Sequence, residues 1–548
     1  MGLIFDSLSV DFAVGAATSL LLICLFYSYA YGYWRRRNIP HIPAPFSIFG
    51  NVGDMLFMKK TPALVLRDQY NKLDGEPYGG FFIGSTPVML IRDPEVIKQV
   101  LVKNFTSFMD RHLDIDEKVN PVEENLFFMK GEKWRWLRSK LTPTFSSGKL
   151  KMMFHVLTEC ASEMNTYVES IASKQECIEM RELFAQYNTE IVGSCAFGIK
   201  FNTINNPKSE FRAIGRTIFN QSFFQMMKGI TITIFPVLAK CFSFTIFDLK
   251  ASRFFRGIVE DTIAHREKND ISRNDFLQLL IQLKKKGYVT ADSTQLKEDA
   301  YLYYKIGDEA SSVRKEFAQD KRASIVPLHR QLPVSELTDG LLAAQCFVFF
   351  LAGFETSSAV ASFCMYELAL SPDIQERVRE EVDAVLKEHN GVITYEAVQK
   401  MDYLGRVVDE TLRKYPTIPI LERKCTKPFT FPGTDYLMKK GDKLSIPAYA
   451  IQHDPKYYPD PERFDPERFT EEAKQSRHPF TYLPFGEGPR ICIGMRFALM
   501  QIKVGLVSLL SKYNFSPCEK TDIPIVLLPK AFFLTPTNGI WLKITNKD

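Results

Sequence analysis

Several common catalytic signatures are missing from this chain. It contains no HExxH, no GxSxG and no Walker loop. Gly486 and Gly488 begin a GxG, but Ile491 stands where the dinucleotide fingerprint needs its third glycine. The ten cysteines include no CxxC pair, which argues against a disulfide framework and for reduced thiols facing the cytosol. Charge of one sign is not in excess: 69 basic and 64 acidic residues give +5, which does not suggest a nucleic-acid partner. A local basic patch for an acidic partner stays open. Internal repeats and low-complexity tracts are also lacking.

One long uncharged run is present. Phe12 to Trp34 carries no ionisable charge, and its 23 residues at about 1.5 Å each span a hydrocarbon core. No basic residue precedes it and Arg35–Arg36–Arg37 follow it, so residues 1–34 read as a transmembrane signal-anchor with the body facing the cytosol. A cleaved signal peptide would need a basic start and a small-residue cleavage site. Tyr27, Tyr29, Tyr31, Tyr33 and Trp34 are expected to form an interfacial aromatic belt. Pro40, Pro43 and Pro45 make residues 35–50 a basic, stiff hinge ahead of the body at 51–548.

The body reads as mainly α with small β-sheets. Residues 78–91 predict a hairpin with Gly84 at its turn, and Asp93–Pro94 predict a helix start. Helical patterning fills about 145–285, 336–415 and 494–512, with strand signals near 420–447 and 532–544. Residues 205–250 read either as buried helices or as a second membrane-dipping surface. Residues 284–335 are polar and weakly periodic, which predicts a surface insertion.

The most informative stretch is PFGEGPRICIGMRFALMQ, residues 484–501. Gly486, Gly488 and Pro489 forbid a regular helix and let backbone approach something flat. Helix-forming sequence resumes after Cys492, so that cysteine is expected at a helix N-terminus, where free N–H groups and the dipole favour a thiolate. Such a lone thiolate suits haem iron needing one strong axial donor. Arg490 adds positive charge or pairs with an acidic ligand group.

Phe485, Gly488, Arg490, Cys492 and Gly494 match FxxGxRxCxG. In this the chain resembles the cytochrome P-450 superfamily, and the resemblance covers nearly all of residues 35–548. It is closest to the microsomal group, in particular insect detoxification members related to vertebrate drug-metabolising enzymes. The resemblance implies a triangular haem-binding helical body, with haem b (iron protoporphyrin IX) on Cys492 and Phe485 and Gly486 in the cofactor loop. AGFETSS, residues 352–358, resembles the family's acid–alcohol pair, which makes Glu355 and Thr356 the catalytic proton relay. Gly353 with Thr356 is expected to open the helix there. Trp134 and Arg138 resemble its WxxxR, which binds a haem propionate; Arg490, Arg423 and Arg111 are expected to join them. Glu410 and Arg413 form its ExxR, and of Arg463 and Arg468 the second is expected to complete a structural triad.

A lipophilic pocket is expected from Val348, Leu351 and Ala352 on the central helix, with Phe127, Ile418 and Phe533 by resemblance. The family reading implies insertion of one oxygen atom from O2 into xenobiotics such as plant toxins or insecticides. NADPH would supply electrons indirectly, through NADPH–cytochrome P-450 reductase, with cytochrome b-five as accessory donor. Lys133, Arg135, Lys140, Lys149 and Arg496 are expected to form the docking face. The place implied is the endoplasmic reticulum membrane, single-pass and in contact with membrane lipid. A biosynthetic hydroxylase of a steroid, fatty acid or terpenoid hormone, and a haem-binding sensor or carrier without turnover, are the alternatives.

Overall fold

Short, near-continuous apolar runs make Tyr78–Ile83 and Thr86–Ile91 a hairpin of largely buried strands, and Gly84 turns it with φ +59°. In this computed structural model, which describes residues 2–45, 48–204, 206, 210–219, 223–286, 337–431 and 433–547, the hairpin begins a four-stranded sheet. Thr86–Ile91 runs parallel to Lys443–Ile446, which pairs antiparallel with Leu421–Lys424. Cys177–Glu179, Trp541–Asn546 and Tyr513–Pro517 form a second sheet. Asp93 caps the expected helix Pro94–Lys98, its carboxylate accepting from the Glu95 and Val96 amides.

Helices make up most of the remainder. The axis is the central helix Asp339–Leu370, N-capped by Thr338. Its first half packs with the helices Gly131–Leu141, Leu249–Lys268 and Phe276–Lys286. Its second half packs with Ser147–Ala172, Met180–Val192, Asp402–Lys414 and Met495–Leu510. The helix is long and apolar enough to cross a membrane, yet most of it is buried, as an axis of two cores must be. All ten cysteines are free, as the spacing suggested.

Several expectations need correcting. Trp34 is not in an interfacial belt: it is 1 % exposed within the core beside the first sheet. Its indole N–H donates to the Phe81 carbonyl at 3.2 Å, and its ring lies so close to Gly80 that a Cβ there would sit 2.3 Å from it. Tyr31 likewise packs edge-on against Phe82, with ring centroids 5.1 Å apart. The apolar helix Gly2–Tyr31 therefore ends in packing contacts with the body, because large aromatic rings bury more area against a sheet than at a boundary.

Of the insertion expected at 284–335, Lys284–Lys286 belong to the helix Phe276–Lys286, and the rest lies outside the described residues. Residues 205–250 are not simply buried. Phe224, Val237, Leu238 and Phe242 are exposed on and beside the helices Phe223–Ile234 and Pro236–Cys241. Gly353 does not break the central helix, which is continuous; a Cβ there would meet Val192 at 2.9 Å, so the glycine lets two helices approach.

Two truncations separate anchor from core. Deleting residues 2–30 is expected to keep the body's stability, whereas deleting 2–34 or making Trp34→Ala costs about 3–5 kcal/mol, the usual range for removing a large buried ring. Urea unfolding of the three proteins checks this; equal midpoints would show that Trp34 is not part of the core.

Candidate active site

The cysteine loop is built by two left-handed glycines. Gly486 and Gly488 have φ +70° and +72°, and a Cβ at Gly488 would lie 2.0 Å from the Leu101 carbonyl oxygen. Only glycine fits there. The Cys492 amide donates to the Phe485 carbonyl at 3.0 Å, closing the loop on itself. The helix starts at Met495 with Gly494 as its N-cap, so Cys492 stands two residues ahead of the cap. That weakens the expected dipole effect. Burial pushes the Cys492 thiol up, opposed by the Gly494 amide and by the charges of Arg138 and Arg111. The loop thus holds the sulfur in place and leaves its ionisation to a ligand.

Around this sulfur the structure gathers Arg111, Arg138, Arg423 and Arg490. Arg423 and Arg490 are 2 % and 3 % exposed. Burial pushes Arg490 down to about 9, with Arg423 and Arg138 adding repulsion and Asp110 opposing it. Burial likewise pushes Arg423 to about 10 and holds Arg111 well below the usual guanidinium range, with Arg490, Arg423 and Arg138 repelling Arg111 further. Arg423 Nε is buried without a hydrogen-bond partner. The nearest acids are modest compensation: Asp110 lies 3.8 Å from Arg490, and the Glu422 carboxylate is 2.7 Å from His112.

Buried cations crowded beyond their acids call for an anion. A macrocycle carrying two carboxylates on one edge fits this cluster, with Cys492 as the donor beside it. Arg490 itself donates to the carbonyls of Met109 and Met129 at 2.7 Å each, and its guanidinium lies 4.1 Å from the Trp134 ring. Arg111 donates to the Phe127 carbonyl at 2.7 Å and stacks on that ring. Arg490 therefore also pins residues 109–129 to the cysteine loop, and Arg111 braces that segment from within.

The residues of the expected triad lie close together. Arg413 grips Glu410 bidentately at 2.7 and 2.9 Å, with both side chains fully buried. Arg468 approaches the same carboxylate at 3.6 Å, while Arg463 contributes only its carbonyl oxygen. Sequence reasoning missed Gln452. Its amide donates to the Leu412 and Arg413 carbonyls and its oxygen accepts from the Leu483 amide at 2.8 Å, joining the triad helix to the cysteine loop.

On the central helix, Ala352, Gly353 and Thr356 form the one open patch amid buried neighbours. The Thr356 hydroxyl donates to the Ala352 carbonyl at 2.5 Å. Glu355 points elsewhere: its carboxylate is ion-paired with Arg181 of the helix Met180–Val192. Arg181 was another unforeseen residue; only the need of a buried acid for a partner announced it. Val348 and Leu351 are almost buried, while Phe127, Ile418 and Phe533 are half-buried.

The expected basic face is partly spent. Lys133 pairs with Glu117 and Glu124, Arg135 pairs with Glu132 at 3.4 Å, and Arg496 donates to the Ser147 hydroxyl.

Gly488→Ala is expected to displace the loop and abolish cofactor incorporation, whereas Gly486→Ala, whose Cβ would meet nothing closer than 3.8 Å, leaves a partly loaded protein strained only by its φ. Absorbance per mole of purified protein distinguishes them. Glu410→Ala leaves Arg413 buried and unpaired, costing about 3–5 kcal/mol, which should appear as a loss of soluble protein.

The cytochrome P450 family profile matches residues 40–303 and 305–544. Cytochrome P450 6k1 of Blattella germanica is 39 % identical over 530 residues, covering 97 % of this chain and 96 % of its own. Cytochrome P450 6a2 of Drosophila melanogaster is 37 % identical over 531 residues, covering 95 % and 97 %. Cytochrome P450 9e2 of Blattella germanica is 36 % identical over 546 residues, covering 96 % of each chain. With a thiol loop, an arginine-lined cradle and relatives of this extent, the chain belongs to the cytochrome P450 family of haem b monooxygenases, which draw their electrons from NADPH through a reductase.

Proposed function

We propose that the chain is a membrane-bound monooxygenase of lipophilic xenobiotics, in which the Cys492 sulfur would hold the haem iron. The observation that carries this is the convergence of Arg111, Arg138, Arg423 and Arg490 beside the Cys492 sulfur. Arg111, Arg138 and Arg423, with the Trp134 indole, would hold the propionates, while Arg490, largely committed to carbonyls, would stiffen the cradle. Phe485 and Gly486 would shape the loop around the thiolate. Bound there, the haem supplies dioxygen activation.

The remaining steps belong to side chains. Thr356, on the open patch, can donate one proton and accept another through the same hydroxyl oxygen. Glu355 is held by Arg181, whose side chain is 29 % exposed and so links the pair to solvent. A proton taken up at the Glu355 carboxylate would pass through water to the Thr356 hydroxyl. Val348, Leu351, Ala352, Phe127, Ile418 and Phe533 would exclude bulk water and bind the substrate by apolar burial.

The helix Gly2–Tyr31, whose segment from residue 11 has mean hydropathy 1.8 and is unburied, supports anchoring in the endoplasmic reticulum with the body toward the cytosol. The exposed Phe224, Val237, Leu238 and Phe242 supply a second apolar contact with lipid. Lys133, Arg135, Lys140, Lys149 and Arg496 together are the docking face for the reductase and cytochrome b-five.

In vesicles with purified reductase and NADPH, the protein should form product carrying one labelled atom from dioxygen; haem binding without turnover across plant toxins, insecticides and steroids would point to a sensor. Cys492→Ala should remove the red-shifted Soret band of the reduced carbon monoxide complex. Thr356→Ala should keep that band while consuming NADPH and releasing peroxide in place of product, and full coupling would contradict the relay. Arg181→Leu leaves Glu355 buried without its partner and should slow product formation about tenfold, as loss of roughly 1.4 kcal/mol of barrier lowering does, with the Soret band unchanged.

A further inference from the structure

A second buried acid, outside the relay, ties together three separate parts of the chain. Glu123 is 1 % exposed, in the turn Pro121–Glu123. One carboxylate oxygen accepts from the amides of Ile246 at 2.8 Å and Phe247 at 3.0 Å, and from Asn120 Nδ2 at 3.3 Å. Asn120 also donates to the Phe247 carbonyl at 3.4 Å and to the Ser252 hydroxyl at 3.1 Å. A carboxylate collecting two consecutive backbone amides fixes that backbone strongly. Burial pushes the carboxyl up to about 7, and the three donors oppose it. In either protonation state it still accepts from both amides.

What this clasp holds is Phe247. Its ring packs edge-on against Phe128 at 5.9 Å and against Phe347 of the central helix at 5.1 Å. Phe128 adjoins Phe127, whose carbonyl and ring are held by Arg111. From the other side, Gln345 of the central helix accepts from the Leu126 amide at 2.9 Å and donates to the Glu124 carbonyl at 3.2 Å. The turn at 120–128 is thus bolted to the central helix by Gln345 and to residues 245–247 by Glu123.

We propose that Glu123 is a positioning residue for substrate selectivity: its carboxylate holds Phe247 inward against Phe128 and Phe347, so that the pocket wall cannot swing out to admit bulky ligands. This rests on the reading above that Phe127 and the neighbouring central helix line the substrate pocket. Oxygen chemistry, centred on Thr356, is not touched by it.

The test uses full-length holoenzyme in vesicles, titrated spectrally with 7-ethoxycoumarin as the compact probe and testosterone as the bulky one. Glu123→Ala should change the ratio of the two affinities about tenfold toward the bulky probe, the factor that one lost buried hydrogen bond produces. Turnover per haem with saturating substrate should stay within about twofold. Glu123→Gln, which keeps an acceptor oxygen, should restore most of the ratio, and Phe247→Ala should reproduce the Glu123→Ala shift. If Glu123→Ala yields no holoprotein, Asn120→Ala, which removes one donor from the clasp, must move the ratio in the same direction. Phe127→Ala reads the pocket assignment separately. An unchanged ratio in Glu123→Ala and Asn120→Ala beside an altered one in Phe127→Ala overturns the clasp alone. Unchanged ratios in all of them overturn the pocket reading as well.

Discussion

The ion pair between Glu410 and Arg413 is the contact on which the catalytic half of the molecule rests. Both side chains are fully removed from water, and two buried charges are expensive unless every donor and acceptor is used. Here nearly all are. Arg413 also donates to the Gln452 carbonyl at 3.0 Å, and Glu410 also accepts from the Asp465 amide at 3.0 Å, with Arg468 nearby. Because these partners come from residues 452–468, the pair joins a helix to the irregular chain leading into the cysteine loop. Gln452 then passes the constraint to Leu483, immediately before the loop. A stretch with little regular structure thereby gains a fixed shape.

The arginines around Cys492 show the opposite design. Arg423 and Arg490 are buried almost as deeply and Arg111 and Arg138 partly, but their charges repel one another and Asp110 offsets little of that. A fold tolerates such strain where a ligand relieves it. The same group type is therefore structural in one place and receptive in another, and the difference lies in how completely its neighbours neutralise it. Glu355 with Arg181 falls between: it is paired, yet the arginine remains open enough to communicate with water.

How much of this could be read in advance follows from the range of each interaction. The hairpin at 78–91, the capped start at Asp93, the loop glycines and the ExxR spacing are local patterns, and the structure reproduces them. Arg468, chosen over Arg463 for its lead into the loop, lies 3.6 Å from the Glu410 carboxylate. Arg181, Gln452 and Glu123 were invisible because each meets partners more than 30 residues away, as with Arg181 and Glu355 174 positions apart. Trp34 misled for a related reason. An aromatic residue beside an apolar run has the composition of a membrane boundary, and nothing local reveals that a sheet with a bare glycine waits for it. The reading of Gly353 as a helix break failed in the same way, because the reason for a missing side chain is the neighbouring helix at Val192.

Trp34 bears on the proposed attachment to a bilayer. Its indole is a brick in the first sheet, and only a few peptide units separate it from the last turn of the apolar helix at Tyr31. A tether so short has no slack. With the apolar helix set in a bilayer, as proposed, the catalytic body could not roll freely over the lipid plane like a float on a long line, and the face beside that sheet would stay close to the leaflet. Hydrophobic solutes dissolved in the bilayer would then reach the protein by lateral diffusion, without first crossing water.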